Sequence, residues 1–284
     1  FQGMKMIAIP GLVGYATEGF EDFDVASLPW EDAVAKRPLP EGTERHKWRP
    51  ERVVLSTSYY GQQVYAKRTH AQTLKHKIAH FFGADKLARE VQALWNFREA
   101  GIKAPEFVLF GRGKGRTTYL VTKAMPQSWW CLAEWLQEEE LSDALMEKLG
   151  AFTRVLHDEK RLYHNDYRTD HLYLTTTDLD EPVADLFGLI DFDGATSGRR
   201  PTRKAREESM EELFVSLARV GFEPRHVELF AKAYGDAWNP DADAFHRQIT
   251  STHEERTRLR NENRARRHAA LAAQNARPAA KSED

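Results

Sequence analysis

The sequence predicts an α+β fold of two lobes, a small antiparallel sheet carrying one helix and then a larger, mainly helical lobe. Three observations predict it. Short runs rich in β-branched and aromatic residues, separated by turn residues, fill Arg52 to Val121. Inside them one segment, Asp85 to Ala100, carries the apolar period of a helix. After Ser128 helical periodicity takes over.

Composition narrows the class. The chain has 284 residues, 41% hydrophobic and 30% charged, enough for a sizeable core in one or two domains. Phe1-Gln2-Gly3 reads as a tag remnant before Met4 and is set aside. No run approaches the length of a membrane span. The start, MKMIAIPGLVGYATEGFED, turns acidic without a small-residue cleavage site, which argues against a signal peptide. The single Cys131, beside Trp129 and Trp130, cannot form an internal disulfide, so a reducing cytoplasm is the natural compartment. A net charge of −2 gives no reason to expect nucleic acid as a partner.

Residues 1–50 read as an N-terminal extension, irregular and lying on the surface, punctuated by Pro29, Pro38, Pro40 and Pro50. Residues 51–125 read as the small lobe. Val53-Val54-Leu55 and Gln63 to Lys67 form a hairpin about Tyr59-Tyr60-Gly61. Its end, VYAK, matches the V-A-I-K pattern whose lysine pairs with nucleotide phosphates, although an edge-strand lysine facing water would look the same. Where a phosphate loop G-x-G-x-x-G would stand, the chain offers only Gly61. In the helix Asp85 to Ala100, Leu87, Val91, Leu94, Trp95 and Phe97 share a face, and Glu90 sits among them. A glutamate there positions the lysine in a phosphoryl-transfer site, or else makes a weak surface pair with Lys86 or Arg89.

Phe107 to Phe110 and Thr118 to Val121 make a second hairpin. The glycines of Gly111 to Gly115 belong to its turn, because no helix follows them. Val121 to Pro126 then leaves the sheet as a hinge whose backbone could meet an adenine edge. Five antiparallel strands and one helix are expected before the helical lobe, four of the strands in these two hairpins. Residues 126–250 read as the large lobe, with helices over Ser128 to Glu140 and Ser142 to Arg161. Residues 251–284 read as a basic helical tail with a disordered end from Arg277. His70, His76 and His80 read as a polar loop rather than a metal cluster.

Leu162 to Gly194 carries the chemistry. His164-Asn165-Asp166 is followed five residues after the aspartate by His171, then by Leu172-Tyr173-Leu174. A second apolar run, Leu186 to Ile190, ends in Asp191-Phe192-Asp193-Gly194. This is the layout H-R-D-x-x-x-x-N … D-F-G, in which one aspartate handles the acceptor's proton and the other holds a metal. Alone, HND reads better as a polar turn and DFDG as a hairpin turn. The two in this order, with Lys67 and Glu90 upstream in theirs, specify phosphoryl transfer and a bilobal protein-kinase-like fold.

The residues VYAK, REVQALWNFREAGIKAPE, LYHNDYRTDHLYL and LIDFDGA resemble the lipopolysaccharide kinase (Kdo/WaaP) family, bacterial enzymes with a eukaryotic-like kinase fold. The likeness covers roughly Val53 to Trp238. His171 stands where that family has histidine and protein kinases have asparagine. Two positions depart from the pattern: Asn165 replaces the usual arginine, and Glu212 stands where an aspartate would anchor the catalytic loop.

The resemblance implies an ATP-dependent kinase that phosphorylates a heptose or Kdo hydroxyl of the lipopolysaccharide inner core, with Mg2+. Asp166 is then the catalytic base. Lys67 meets the phosphates, Glu90 positions Lys67, and Asp191 binds magnesium. His171 serves as second metal ligand or bonds Asp191 or a phosphate oxygen, and Asp170 is an alternative oxygen donor, since magnesium prefers oxygen. The implied partners are ATP and a glycolipid or sugar acceptor, in the cytoplasm with an option of peripheral contact at the inner membrane. Arg199 to Arg206 and Thr252 to His268 are basic runs that read either as platforms for an anionic acceptor or lipid surface or as solvated charge. The competing readings are a small-molecule kinase of the aminoglycoside or choline type, and a catalytically dead binding module, to which the missing glycine loop would point.

Overall fold

The computed structural model describes residues 4–9, 12–49, 51–71, 86–235 and 237–275. Phe1-Gln2-Gly3, His76, His80 and the expected disordered end from Arg277 lie outside the described residues.

The sheet is seven-stranded and antiparallel. Its strands are β1 (Met4–Ile9), β2 (Leu12–Thr17), β3 (Glu44–Arg49), β4 (Arg52–Tyr59), β5 (Gln62–His70), β6 (Phe107–Gly113) and β7 (Thr117–Lys123). Their spatial order is β1-β2-β6-β7-β5-β4-β3. The expected hairpins are β4–β5 and β6–β7. Tyr60 and Gly61 close the first with φ of 46° and 76°, the left-handed pair that a two-residue hairpin turn needs.

Residues 4–49 correct the expectation of an irregular extension and of five strands. They supply both edges of the sheet, β1–β2 beside β6 and β3 beside β4. Leu12 and Ala16 point inward while Val13 and Tyr15 point out, the period-two alternation of a half-buried strand. Gly14 lies opposite Gly111 across β2–β6, and a Cβ on Gly14 would sit 2.1 Å from the Phe110 carbonyl oxygen, so the close seat of β2 needs glycine. Between β2 and β3 the chain crosses the outer face of the sheet through helix α1 (Trp30–Ala35). Phe20, Phe23, Val25 and Trp30 there bury Val53, Leu55, Val64 and Ala66 of the sheet in one core. The prolines at 29, 38 and 40 that suggested irregular structure fall in this crossing, outside the strands.

Helix α2 (Lys86–Glu99) packs on the opposite, inner face. It buries Leu87, Val91, Leu94 and Phe97 in a second core shared with the helical lobe. The large lobe begins with a short strand, β8 (Trp130–Cys131), where a helix was expected from Ser128; α3 (Leu132–Glu138) starts after it. Trp130 and Cys131 pair instead with β9 (Leu172–Leu174), which also pairs with β10 (Phe187–Leu189), and these three strands carry the catalytic stretch. Helix α4 (Asp143–Arg154) opens on Ser142, whose side chain caps the Leu145 amide at 3.2 Å. Then follow α5 (Arg203–Leu217), α6 (Pro224–Tyr234) and α7 (Ala242–Asn275).

The expected border between lobe and tail at residue 251 falls inside α7, which runs through it unbroken. Ile249 is buried in the lobe core, and Arg256 of the same helix forks onto Glu212 of α5 at 2.8 and 3.0 Å. No described helix is long and apolar enough to cross a membrane.

Candidate active site

Strand β5 presents Lys67 to the inner face, and α2 presents Glu90 to it. Glu90 is 2% exposed, which rules out the surface pairing with Lys86 or Arg89. Lys67 and Glu90 form an ion pair. The Lys67 ammonium also lies 3.0 Å from Asp191 Oδ1, so this cation bridges the sheet and the helical lobe. Burial works against a charged lysine, but Glu90 and Asp191 outweigh it and the Lys67 pKa is raised. At Asp191 burial alone would raise the pKa; Lys67 and Arg52 reverse it and hold the carboxyl well below the usual range.

Arg52 was not foreseen. It is buried at the start of β4 and touches three carboxylates: Asp193 at 2.7 Å, Asp191 at 3.4 Å and Glu90 at 3.5 Å. Lys86 pairs with Asp193 as well.

His164 joins the two halves of the catalytic stretch. Its Nε2 donates to the Ile190 carbonyl at 3.0 Å, just before Asp191. Burial, aided by nearby His171, pushes its pKa down to about 4, so the ring is neutral at pH 7. Phe192 wedges between His164 and α2, 5.6 Å from the His164 ring and 4.9 Å from Phe97. Asn165, the departure from the arginine pattern, lies over Gly194: a Cβ there would come 2.5 Å from Asn165 Nδ2, and Gly194 has φ of +82°. Both facts require glycine at the end of the DFDG turn.

Asp166 lies beside His171 and Arg168. Arg168 Nε is 3.3 Å from its Oδ1 and His171 Nδ1 is 3.5 Å from its Oδ2. His171 Nδ1 donates to the Asp166 backbone carbonyl at 2.8 Å, rather than to Asp191 as one expectation had it. Asp170 is no free oxygen donor: Arg168 and Arg219 both pair with it at 3.0 Å. Asp166, His171 and Asp191 each offer one ligand atom, all within 4.8 Å of one another, so two carboxylates and an imidazole could hold one divalent cation.

The anchor of the catalytic loop is also different from the expectation. Glu212 turns away to Arg256. Ser209 Oγ, from the same helix, donates to the His164 carbonyl at 3.3 Å, and Ser216 Oγ accepts from the Thr169 amide at 2.9 Å. Both serines are buried. Spaced seven residues apart, they lie on one face of α5, a signal present in the sequence but carried by residues with no charge to notice.

Lys67, Glu90, His171, Asp191 and the hinge residues 123–126 line one cavity of about 510 Å³, within the range of small-ligand sites. The Gly61 turn does not cover the Asp191 end of this cavity. Val64 pairs with Lys123, which puts that turn at the hinge end of the sheet. The hairpin reaching Asp191 and Asp193 is β3–β4, and its Arg49-to-Arg52 turn holds no glycine.

A family model described as the lipopolysaccharide kinase (Kdo/WaaP) family matches residues 33–234. The chain belongs to this family. A solved structure titled "WaaP in complex with acyl carrier protein" superposes with a TM-score of 0.57 at 21% identity, covering 86% of this chain and 98% of that one, and shows a shared fold. A crystal structure of WbdD gives a TM-score of 0.46 at 16% identity, covering 75% of this chain and 51% of that one. Comparison with curated proteins returned no significant match.

This lipopolysaccharide kinase therefore transfers a phosphoryl group from a nucleotide, with a divalent metal, to a sugar hydroxyl of the lipopolysaccharide core. Nothing favours the aminoglycoside- or choline-type alternative or the inactive one. The basic run of the kinase after Gly194 is largely self-neutralised: Arg200 and Arg206 pair with Asp158 at 2.6 Å, and Arg203 pairs with Glu207 at 2.8 Å.

Proposed function

We propose that the cleft binds ATP with Mg2+ and moves the γ-phosphoryl group to a hydroxyl of inner-core heptose or Kdo. The observation that carries this reading is the 3.0 Å approach of Lys67, from the sheet, to Asp191, from the helical lobe, with Asp166 and His171 alongside. Lys67 neutralises phosphate charge and Glu90 holds it in place. Asp166 accepts or orients the acceptor hydroxyl proton, with Arg168 and His171 orienting its carboxylate.

Asp191 and His171 are the metal ligands in this reading. Lys67 and Arg52 both approach Oδ1 of Asp191, which leaves Oδ2 for the ion. His171 commits its Nδ1 proton to the Asp166 backbone, which leaves Nε2. Magnesium would complete its shell with water and phosphate oxygens and would offset charge on the phosphates. At the hinge the amides of Lys123 and Ala124 already donate to Glu106 and Gln63 carbonyls at 2.9 Å, so an adenine edge would meet the Met125 amide and the hinge carbonyls.

The acceptor in this reading is a glycolipid at the cytoplasmic face of the inner membrane. The exposed Arg260 and Arg264 of α7 would give peripheral contact with anionic headgroups, a contact that co-sedimentation with phosphatidylglycerol vesicles, against phosphatidylcholine vesicles, checks directly. The reaction itself is tested by mass spectrometry of lipopolysaccharide from a strain lacking the gene. Loss of one phosphate from heptose or from Kdo is the expected result; unchanged phosphate content contradicts it.

A further inference from the structure

The charges of the cleft do not cancel once β3 is counted. Arg52, Lys67 and Lys86 answer Glu90, Asp191 and Asp193 through direct ion pairs. Lys47 also lines the cavity, yet among the described residues it makes no ion pair and no hydrogen bond. It is the surplus cation of the site.

Its position follows from register. Lys47 pairs with Val54, and Val54 pairs with Lys67. Directly opposed residues of antiparallel strands point to the same face, so the two lysines stand in one row across the inner face. Two strand spacings, about 9.5 Å, separate their backbones. A bulge between Arg45 and Lys47 makes consecutive residues His46 and Lys47 both face the cavity, which regular alternation forbids. His46 is tied back, with Nε2 2.8 Å from Ser56 Oγ and its ring 5.2 Å from Tyr65. Lys47 remains free to reach a ligand.

The surroundings favour an anion. Partial burial lowers the Lys47 pKa first; Arg52, Lys86 and Arg49 repel its charge further, and only Asp191 opposes them. Arg52, next along the same face, keeps its Nε buried without a partner. In protein kinases a glycine-rich loop covers the phosphates, and its lack of side chains lets backbone amides approach closely. Here the sequence between Arg49 and Arg52 is a proline, which has no N–H, and Glu51. A long cationic side chain does not need that close approach of the backbone.

We propose that Lys47, with Arg52 beside it, binds the terminal phosphates of the nucleoside triphosphate from β3, supplying by side-chain charge the contact that a glycine-rich loop makes with its amides. This rests on the nucleotide reading of the cleft given above, and it assigns to the edge strand a ligand contact that the motif residues do not include.

The test is calorimetric titration of wild type, Lys47→Met and Lys47→Arg with ATP and with adenosine, in Mg2+. Lys47 is exposed on an edge strand, so the ligand-free Tm of each variant should stay within about 2 °C of wild type, as for surface substitutions generally. The expected result is ATP binding weakened about tenfold in Lys47→Met, adenosine binding unchanged, and ATP affinity recovered to within about threefold in Lys47→Arg; tenfold corresponds to about 1.4 kcal/mol. If Lys47→Met binds ATP as wild type does, or loses adenosine and ATP alike, the phosphate role of Lys47 is overturned while the nucleotide reading stands. If wild type binds neither ligand, the nucleotide reading fails and takes this proposal with it.

Discussion

Asp191 is where the cleft concentrates its charge and its backbone strain. It holds φ of 57° in a non-glycine residue, a left-handed conformation that aspartate tolerates better than most side chains. Lys67 and Arg52 converge on one of its oxygens. Asp191→Asn keeps the shape and removes the charge, so turnover at saturating nucleotide should fall by about a hundredfold or more, with a higher metal requirement in a Mg2+ titration. Three residues on, Gly194→Ala meets both a left-handed φ and the Asn165 side chain. It should cost roughly 1–3 kcal/mol in urea unfolding, the usual range for such strain. At this scale the sequence was informative where a motif named the residue. Lys67, Glu90, Asp166, His171 and Asp191 are all visible in the text of the chain. Arg52 and Lys47 are not, because an arginine or lysine near a turn looks the same whether it meets water or three carboxylates. Only the register of β3, β4 and β5 distinguishes them.

Helix α5 steadies the catalytic loop, and it does so with hydroxyls. Ser216→Ala leaves the Thr169 amide buried without its acceptor, which should cost about 1–3 kcal/mol and lower kcat with little change in nucleotide affinity. Glu212→Gln, by contrast, weakens only a partly exposed pair with Arg256 and should cost less than about 1 kcal/mol with kcat unchanged. Thermal unfolding and steady-state kinetics of the two variants separate these anchors. The Phe97–Phe192 contact ties α2 to the DFDG turn, so the helix that holds Glu90 and the turn that holds Asp191 share one core. Element by element, α2, α4 and the two central hairpins were legible from period and turn chemistry. Strands β1 and β2 were missed although Leu12, Gly14 and Ala16 alternate with Val13 and Tyr15 as a strand should. The alternation is short, prolines follow it, and nothing local tells a strand which partner it will extend.

Across the whole molecule, two cores meet at the sheet, one sealed by the N-terminal crossing and one shared by α2 and the helical lobe. Two buried histidines make this assembly sensitive to acid. Burial lowers the pKa of His157 to about 3 and that of His164 to about 4. In the unfolded chain both would titrate near the ordinary histidine value of about 6.5. The unfolded state therefore binds more protons between these limits, and stability is full above about pH 7 and falls as the pH drops toward 4. The loss from His164 alone is on the order of 3 kcal/mol. Urea midpoints measured from pH 7 to pH 4 should decline steadily, and His157→Gln or His164→Gln should flatten that slope if the variant folds. The central claim, that Lys67, Asp166 and Asp191 form one phosphoryl-transfer site, has a more direct test. Purified protein is incubated with γ-labelled ATP, Mg2+ and lipopolysaccharide stripped of its core phosphates. The account predicts metal-dependent label on a core sugar, lost with Asp166→Ala while ATP still binds. Label transferred equally well by Asp166→Ala would contradict it.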